Sequence, residues 1–265
     1  MRIGVIGCAG RMGRANLAQL LGTEGVELAG GTERPGHEAI GTDLGTLIGR
    51  DPVGILCTDD PSGLMTRAHA VIEFSTPAAT TANAALAATH GCAHVIGTTA
   101  LEPADRAALA EAARRTAIVW APNMSLGTNL LIGLAEKVAA TLGPEFDIEI
   151  VEMHHRHKVD APSGTALAIA EAAARGRGRP LDELVQRGRD GLTGPRPAGA
   201  IGLAALRGGD VVGDHTIIFA ADGERLELSH KASSRAIYSA GAVRAALWAG
   251  RQPPGLYGMK DVLGL

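Results

Sequence analysis

Apolar and polar positions alternate along this chain in two rhythms, and the switches between them lay out its elements. Residues 1–7 carry Ile3, Val5 and Ile6 in a short apolar run that predicts a strand. Met12, Leu17, Leu20 and Leu21 then fall at helical spacing, and residues 26–31 predict a second strand. Residues 35–50 are glycine-rich and weakly patterned, which predicts a long loop with short helical turns. Further on, strands are predicted at 70–75, 93–97 and 117–120, with helices at 78–88 and 103–115 between them. This alternation predicts an α/β fold with a parallel, doubly wound sheet.

Beyond residue 125 the pattern changes. Residues 126–142 predict one long amphipathic helix, apolar at Leu130, Leu131, Leu134 and Val138, that leads into a second domain. That domain opens with a strand at 146–151, where Ile148, Ile150 and Val151 read as buried. Pro162, Ser163, Gly164 and Thr165 precede an Ala/Leu/Ile run, which predicts a helix start capped by Ser163. The stretch 175–197, rich in arginine, glycine and proline, predicts a mobile surface loop. Strands follow at 201–206, 211–221 and 225–230, with turns at 207–210 and 221–224; Asp222-Gly223 is a hairpin signal. Consecutive hairpins plus the strand before His154 predict an α+β domain with an open mixed sheet. The edges of such a sheet want covering, so an oligomer is expected through it. A last helix places Ala236, Ala240, Val243 and Leu247 on one face.

Chemistry concentrates at two places. Gly7-Cys8-Ala9-Gly10-Arg11-Met12-Gly13 follows the first strand at once and opens a helix. Ala9 stands where the middle glycine of G-x-G-x-x-G would be, yet the physical demand is met. Backbone must approach a pyrophosphate closely, and the amides of a helix start must bind it. A glycine-rich turn alone is weak, but its place between strand and helix makes a Rossmann-like dinucleotide site the expectation. Twenty residues past Gly13 lies Glu33, placed to take ribose hydroxyls, and beside it Arg34, whose guanidinium fork suits a 2′-phosphate. An ordinary turn ion pair is an equal alternative on spacing. The turns Gly97-Thr98-Thr99 and Ala121-Pro122-Asn123-Met124 close two strands, and as bare sequence both are plain turns.

The second place is residues 152–166, which collect Glu152, His154, His155, Arg156, His157, Lys158 and Asp160 before the helix start. A solvated basic edge is the bland alternative. Against it stand the strand–charge–helix context and an anion-binding turn six residues from Lys158, where the amides of Gly164 and Thr165 and the helix dipole suit a carboxylate or phosphate. His-His-x-His is no zinc spacing, so no metal is expected. A dinucleotide loop joined to a proton-handling anion site implies hydride transfer to a small acidic substrate.

Composition excludes other classes. A net charge of −3 and a pI near 6.3 supply no positive field for nucleic acid. Cys8, Cys57 and Cys92 are odd in number and unpaired in spacing, as free thiols of a reducing cytosol are. No apolar run reaches membrane-spanning length, and glycines interrupt the N-terminus too early for a signal peptide, so a cytoplasmic protein is expected.

The run His-His-x-x-Lys-x-Asp-Ala-Pro-Ser-Gly-Thr-Ala, from His154 to Ala166, resembles the signature of the dihydrodipicolinate reductase (4-hydroxy-tetrahydrodipicolinate reductase) family of lysine and diaminopimelate biosynthesis. Gly-x-x-Gly-Arg-Met-Gly and Glu33-Arg34 extend the resemblance to nearly the whole chain. It implies NADPH and/or NADH as cofactor, contacted at Gly7 to Met12, Glu33, Arg34, Gly97 to Thr99 and Ala121 to Met124. It implies a dicarboxylate substrate bound by His155, Gly164 and Thr165, with His154 and Lys158 handling the proton. It further implies a homotetramer and a last helix that returns to the nucleotide domain, giving domains of 1–125 with 235–265 and of 126–234. Glu73, Ala100 and Met124 depart from the aspartate, glycine and phenylalanine common there. Another NAD(P)-dependent dehydrogenase and a non-enzymatic dinucleotide sensor are the rival functions.

Overall fold

Parallel pairing gathers the short apolar strands of the first half into one sheet. The computed structural model describes residues 1–265 and divides them into two units, Met1–Leu126 with Ala236–Leu265, and Gly127–Arg235. The first unit runs β1 (Arg2–Ile6), α1 (Arg11–Leu21), β2 (Glu27–Thr32), α2 (Leu44–Leu47), β3 (Cys57–Thr58) and α3 (Pro61–Arg67). It continues with β4 (Ala70–Glu73), α4 (Pro77–His90), β5 (Ala93–Ile96), α5 (Pro103–Ala112) and β6 (Ala117–Trp120). From β6 the chain passes through α6 (Leu126–Thr141) into the second unit, which holds β7 (Asp147–His154), α7 (Gly164–Gly176), β8 (Val185–Arg187), β9 (Ile201–Arg207), β10 (Gly213–Ala221) and β11 (Glu224–Ala232). It returns through α8 (Ala236–Ala249) to β12 (Gly255–Tyr257) and α9 (Met259–Leu263).

The seven strands of the first unit are all parallel, in the order β12-β6-β5-β4-β1-β2-β3. Every residue of β4 and β5 is buried, as a strand covered on both faces requires. The chain turns opposite ways on the two sides of β1 and β4, and a doubly wound sheet binds ligands where that reversal opens its carboxyl edge. β3, α3 and β12 had no counterpart in the hydrophobic pattern. The last helix also buries another face than expected: Ser239, Ala242, Val243, Ala246 and Ala249 are inside, and Ala236 is exposed. In so alanine-rich a helix, small side chains set the closest approach and periodicity carries little contrast.

The second unit's sheet is mixed, in the order β11-β10-β7-β9-β8. Only β10 and β11 form a hairpin, through Asp222 and Gly223. The turn after β9 does not make a second one. β9 runs parallel to β7, which lies between β9 and β10, so residues 208–212 arch across the end of β7. Gly208 N–H donates to His154 O at 3.0 Å, and His155 N–H to Val211 O at 2.7 Å. α7 packs its alanines and Ile169 on Ile148, Ile150, Ile217 and Phe219. On α6 the inward face is Thr128, Leu131, Ala135 and Ala139, while Leu130 is exposed.

The arginine-rich stretch is tied down rather than loose. β8 pairs with β9, and Arg196 donates to Glu149 Oε1 (2.9 Å), Asp147 Oδ1 (2.7 Å) and Ile148 O (2.8 Å). Arg177 likewise holds the carbonyls of Leu142, Gly143 and Phe146. Arg196→Ala, which unpairs the Asp147 carboxylate and the Ile148 and Ala200 carbonyls and leaves Glu149 to Arg189 alone, should cost about 1–3 kcal/mol in urea unfolding. Arg179→Ala breaks only an exposed i,i+4 pair with Glu183 and should change stability by less than about 0.5 kcal/mol.

Candidate active site

The candidate residues of the first unit all follow the carboxyl ends of parallel strands. After β1, Gly7 N–H and Cys8 N–H both donate to Thr32 O at 2.8 and 3.1 Å, and Gly10 N–H donates to Gly7 O at 3.2 Å. Ala9 N–H donates to Glu33 Oε1 at 2.8 Å, so the acid at the end of β2 holds the loop. Four amides of the loop are thus engaged within the protein. The start of α1 is different, because no side chain caps it and the Arg11 and Met12 amides carry the positive end of the dipole. A Cβ at Gly13 would lie 2.0 Å from Gly7 O, so only glycine lets this helix start beneath the loop. An uncapped helix start, a loop pressed onto it and a carboxylate at the end of β2 fit a dinucleotide. Cys8 turns its side chain into the core, with Sγ 3.4 Å from Cys57 Sγ, and burial pushes both thiols up. Arg34 is exposed.

The turn after β5 stands on a buried polar network. Glu73, fully buried at the end of β4, accepts from Asn83 Nδ2 at 3.0 Å and pairs with His94 Nε2 at 2.7 Å. Burial opposes its charge; His94, Ser75 and Asn83 outweigh that and hold its pKa low. Thr80 links this cluster to Thr98, whose Oγ1 receives Thr80 Oγ1 at 2.9 Å and Ser75 N–H at 3.0 Å. Both lone pairs of the Thr98 hydroxyl are therefore taken up by the scaffold, whereas Thr99 is exposed. A Cβ at Gly97 would strike the Phe74 ring, 2.1 Å from Cε1. Ala100 has φ +59, the one non-glycine residue with positive φ, a conformation that glycine adopts freely and that costs an alanine about 1–2 kcal/mol. After β6, Ala121 and Met124 are buried, Pro122 is exposed, and Asn123 Oδ1 accepts Ser125 N–H at 2.9 Å.

In the second unit, period two on β7 decides the site. Ile148, Ile150, Glu152 and His154 face inward, and Val151 lies on the other side, half-buried. Glu152 is 1% exposed, so its charge must be met. Arg207 donates Nη1 to Oε2 at 2.8 Å and Nη2 to Oε1 at 2.9 Å. Ser163 N–H reaches Oε1 at 3.0 Å, and His154 Nδ1 reaches Oε2 at 2.6 Å. Burial works against ionisation of Glu152, but Arg207, His154 and Ser163 together hold its pKa below the usual carboxylate range. A charged acceptor at Nδ1 fixes a proton there and leaves Nε2 as the histidine's exchangeable position.

Ser163 caps α7 by accepting Ala166 N–H at 3.1 Å, and its Oγ also meets His215 Nε2 at 3.0 Å. Gly164 and Thr165 are the first residues of α7. Lys158 Nζ is closed on Asp160, at 2.8 and 2.9 Å, and that ammonium holds the Asp160 carboxyl low. His155 and His157, with ring centroids 6.3 Å apart, line an open depression of about 670 Å³ with Arg156, Gly209 and Asp210. Glu152 and His154 stand out in the charged run of the sequence. Arg207 and His215 do not, because only strand pairing brings them to this end of β7. A lone strand histidine offers no other signal.

Two family profiles, described as "Dihydrodipicolinate reductase, N-terminus" and "Dihydrodipicolinate reductase, C-terminus", match residues 1–124 and 127–263. A 4-hydroxy-tetrahydrodipicolinate reductase from Dinoroseobacter shibae is 54% identical over 261 residues, covering 98% of this chain and 97% of the other. One from Parvibaculum lavamentivorans is 54% identical over 266 residues, covering 100% and 98%. Among solved structures, a dipicolinate-bound dihydrodipicolinate reductase from Paenisporosarcina sp. TG-14 matches with TM-score 0.79 at 24% identity over 98% of each chain, a likeness of fold.

The Glu152 cluster makes a pH prediction. Its folded pKa is depressed, so its contribution to stability is full above the unfolded value of about 4.3 and is lost as pH falls through the folded value. The stability difference between wild type and Glu152→Gln, measured by urea unfolding at stepped pH, should shrink below about pH 4.3. A difference constant down to pH 3 contradicts the assignment of the charge.

Proposed function

The chain belongs to the dihydrodipicolinate reductase family, and from that premise we propose that it reduces 4-hydroxy-tetrahydrodipicolinate to tetrahydrodipicolinate with NADPH or NADH. What carries the proposal within the molecule is the cluster of Glu152, His154, Arg207 and Ser163 at the head of α7. A bound nicotinamide dinucleotide supplies the hydride. The first unit's part is to hold it, through the first turn of α1, Glu33 and Arg34 at the adenosine ribose, and the backbone of Gly97, Thr98, Thr99, Ala121, Pro122, Asn123 and Met124 at the other end.

The second unit handles charge and the proton. Loss of the substrate's 4-hydroxyl as water gives a conjugated carbon–nitrogen ring, and hydride addition to that ring leaves a carbanion-like centre that needs a proton. His154, oriented by Glu152, handles that proton at Nε2, and the Lys158 ammonium delivers a proton or stabilises the developing charge. A substrate carboxylate takes the first turn of α7, at Gly164 and Thr165, with His155 on the second carboxylate. Asp160 holds Lys158 until that anion arrives.

Consumption of NADPH with the freshly made condensation product of aspartate semialdehyde and pyruvate tests the activity directly. Lys158→Ala should lower kcat about a hundredfold to ten-thousandfold. Thr165→Val should chiefly raise KM, by one charge-assisted hydrogen bond or about 1.5–3 kcal/mol. NADPH affinity should survive both changes. A near-normal kcat in Lys158→Ala contradicts its role.

Glu33 suits a free ribose and Arg34 a 2′-phosphate, so mixed cofactor use is expected. Glu33→Ala should weaken NADH more than NADPH, and Arg34→Ala the reverse, in fluorescence titrations. Equal losses mean that this turn does not read the 2′ position.

The open face of the mixed sheet carries Val151 and Met153 beside Ala204 and Leu206, with Leu206 49% exposed. An apolar stripe on an uncovered sheet supports assembly through it. Light scattering at micromolar concentration should give a tetramer, and a monomer refutes it.

A further inference from the structure

Alternation on β10 places a histidine where apolar residues belong. Gly213, His215, Ile217 and Phe219 share its inward face, and His215 is 5% exposed. Its ring centroid stands 5.1 Å from that of His154, edge-on at 75°. Glu152 lies opposite it on β7 and His230 opposite it on β11. Burial first, then His154, His230 and Lys158, push its pKa down to about 4 against the opposing pull of Glu152. The ring is therefore neutral near neutral pH.

Its two nitrogens differ. Nε2 meets Ser163 Oγ at 3.0 Å, while Nδ1 is buried without a partner. With the proton on Nδ1, an N–H would be buried unpaired. With it on Nε2, only a lone pair is unpaired, and the N–H donates to Ser163. The orphaned N–H is the costlier of the two. Ser163 Oγ already accepts Ala166 N–H at 3.1 Å, so a second donor fills both of its lone pairs. Its own proton is then left to give.

We propose that His215 is a positioning residue: by donating Nε2–H to Ser163, it makes the Ser163 hydroxyl a donor to the substrate carboxylate at the first turn of α7. This rests on α7 being the carboxylate site, as read above. Three donors then converge on the anion, two backbone amides and one hydroxyl whose direction His215 sets. The hydroxyl matters to binding the acid more than to the chemistry at the ring, which separates its effect from that of Lys158.

The test uses the full-length protein, with dipicolinate as the binding probe in calorimetry and NADPH oxidation for KM and kcat. His215→Leu should weaken dipicolinate and raise KM about 10- to 100-fold, with a much smaller change in kcat. His215→Gln, whose amide N–H can reach Ser163, should recover most of that loss. In a Ser163→Ala background, His215→Leu should add less than about twofold, because it acts through the same hydroxyl. Long-range ¹⁵N–¹H spectra of the wild type should show His215 protonated at Nε2. Additive losses in the double variant, equal behaviour of Leu and Gln, or an Nδ1–H tautomer overturn the role of His215 alone. Failure of the wild type to bind dipicolinate overturns the carboxylate site at α7, and His215's role with it.

Discussion

One buried carboxylate organises the second unit. Glu152 sits on the inward face of β7, where a charge without partners would cost several kcal/mol. It is met from three directions: by the guanidinium of Arg207 at the end of β9, by the backbone of Ser163 at the head of α7, and by the ring of His154 two residues along its own strand. Each partner comes from a different element, so the ion fixes the strand end, the helix start and the imidazole relative to one another. His215 extends the same arrangement through Ser163. The His154 ring and the first turn of α7, proposed to handle the proton and to bind the anion, are in this way held by a single group.

The first unit solves a related problem with another buried acid. Glu73 at the end of β4 meets His94 near the start of β5, and hydroxyls carry the connection to Thr98. The turn after β5 is thereby held from below while its backbone stays at the carboxyl edge. The same turn contains Ala100 in a conformation that glycine adopts at less cost, so the network also restrains a strained residue.

What could be read from the sequence followed the strength of each local signal. The parallel strands of the first half, the long helix α6 and the Ser163 cap rest on period and on capping chemistry, both local. β3, β8 and β12, two or three residues long, exist because a neighbour offers hydrogen bonds and leave no period to find. The misplaced hairpin after β9 has the same origin, since turn residues announce a reversal but not which strand lies on the far side. The site divides likewise. His154, His155 and Lys158 stand out in a dense charged run, whereas Arg207 lies 55 residues from Glu152 and His215 lies 52 from Ser163. Period two on β7, applied past Val151, would have turned Glu152 and His154 inward together. That one step was available in the sequence.

An ionised Glu152, accepting from Nδ1, dictates the state of His154. The most direct measurement is the long-range ¹⁵N–¹H correlation spectrum of His154 near neutral pH, in wild type and in Glu152→Gln. Wild-type His154 should keep a proton on Nδ1, whether or not Nε2 is also protonated, and Glu152→Gln should lose this preference. A wild-type ring found as the Nε2–H tautomer, or one whose pattern is unchanged when Glu152 loses its charge, would contradict it.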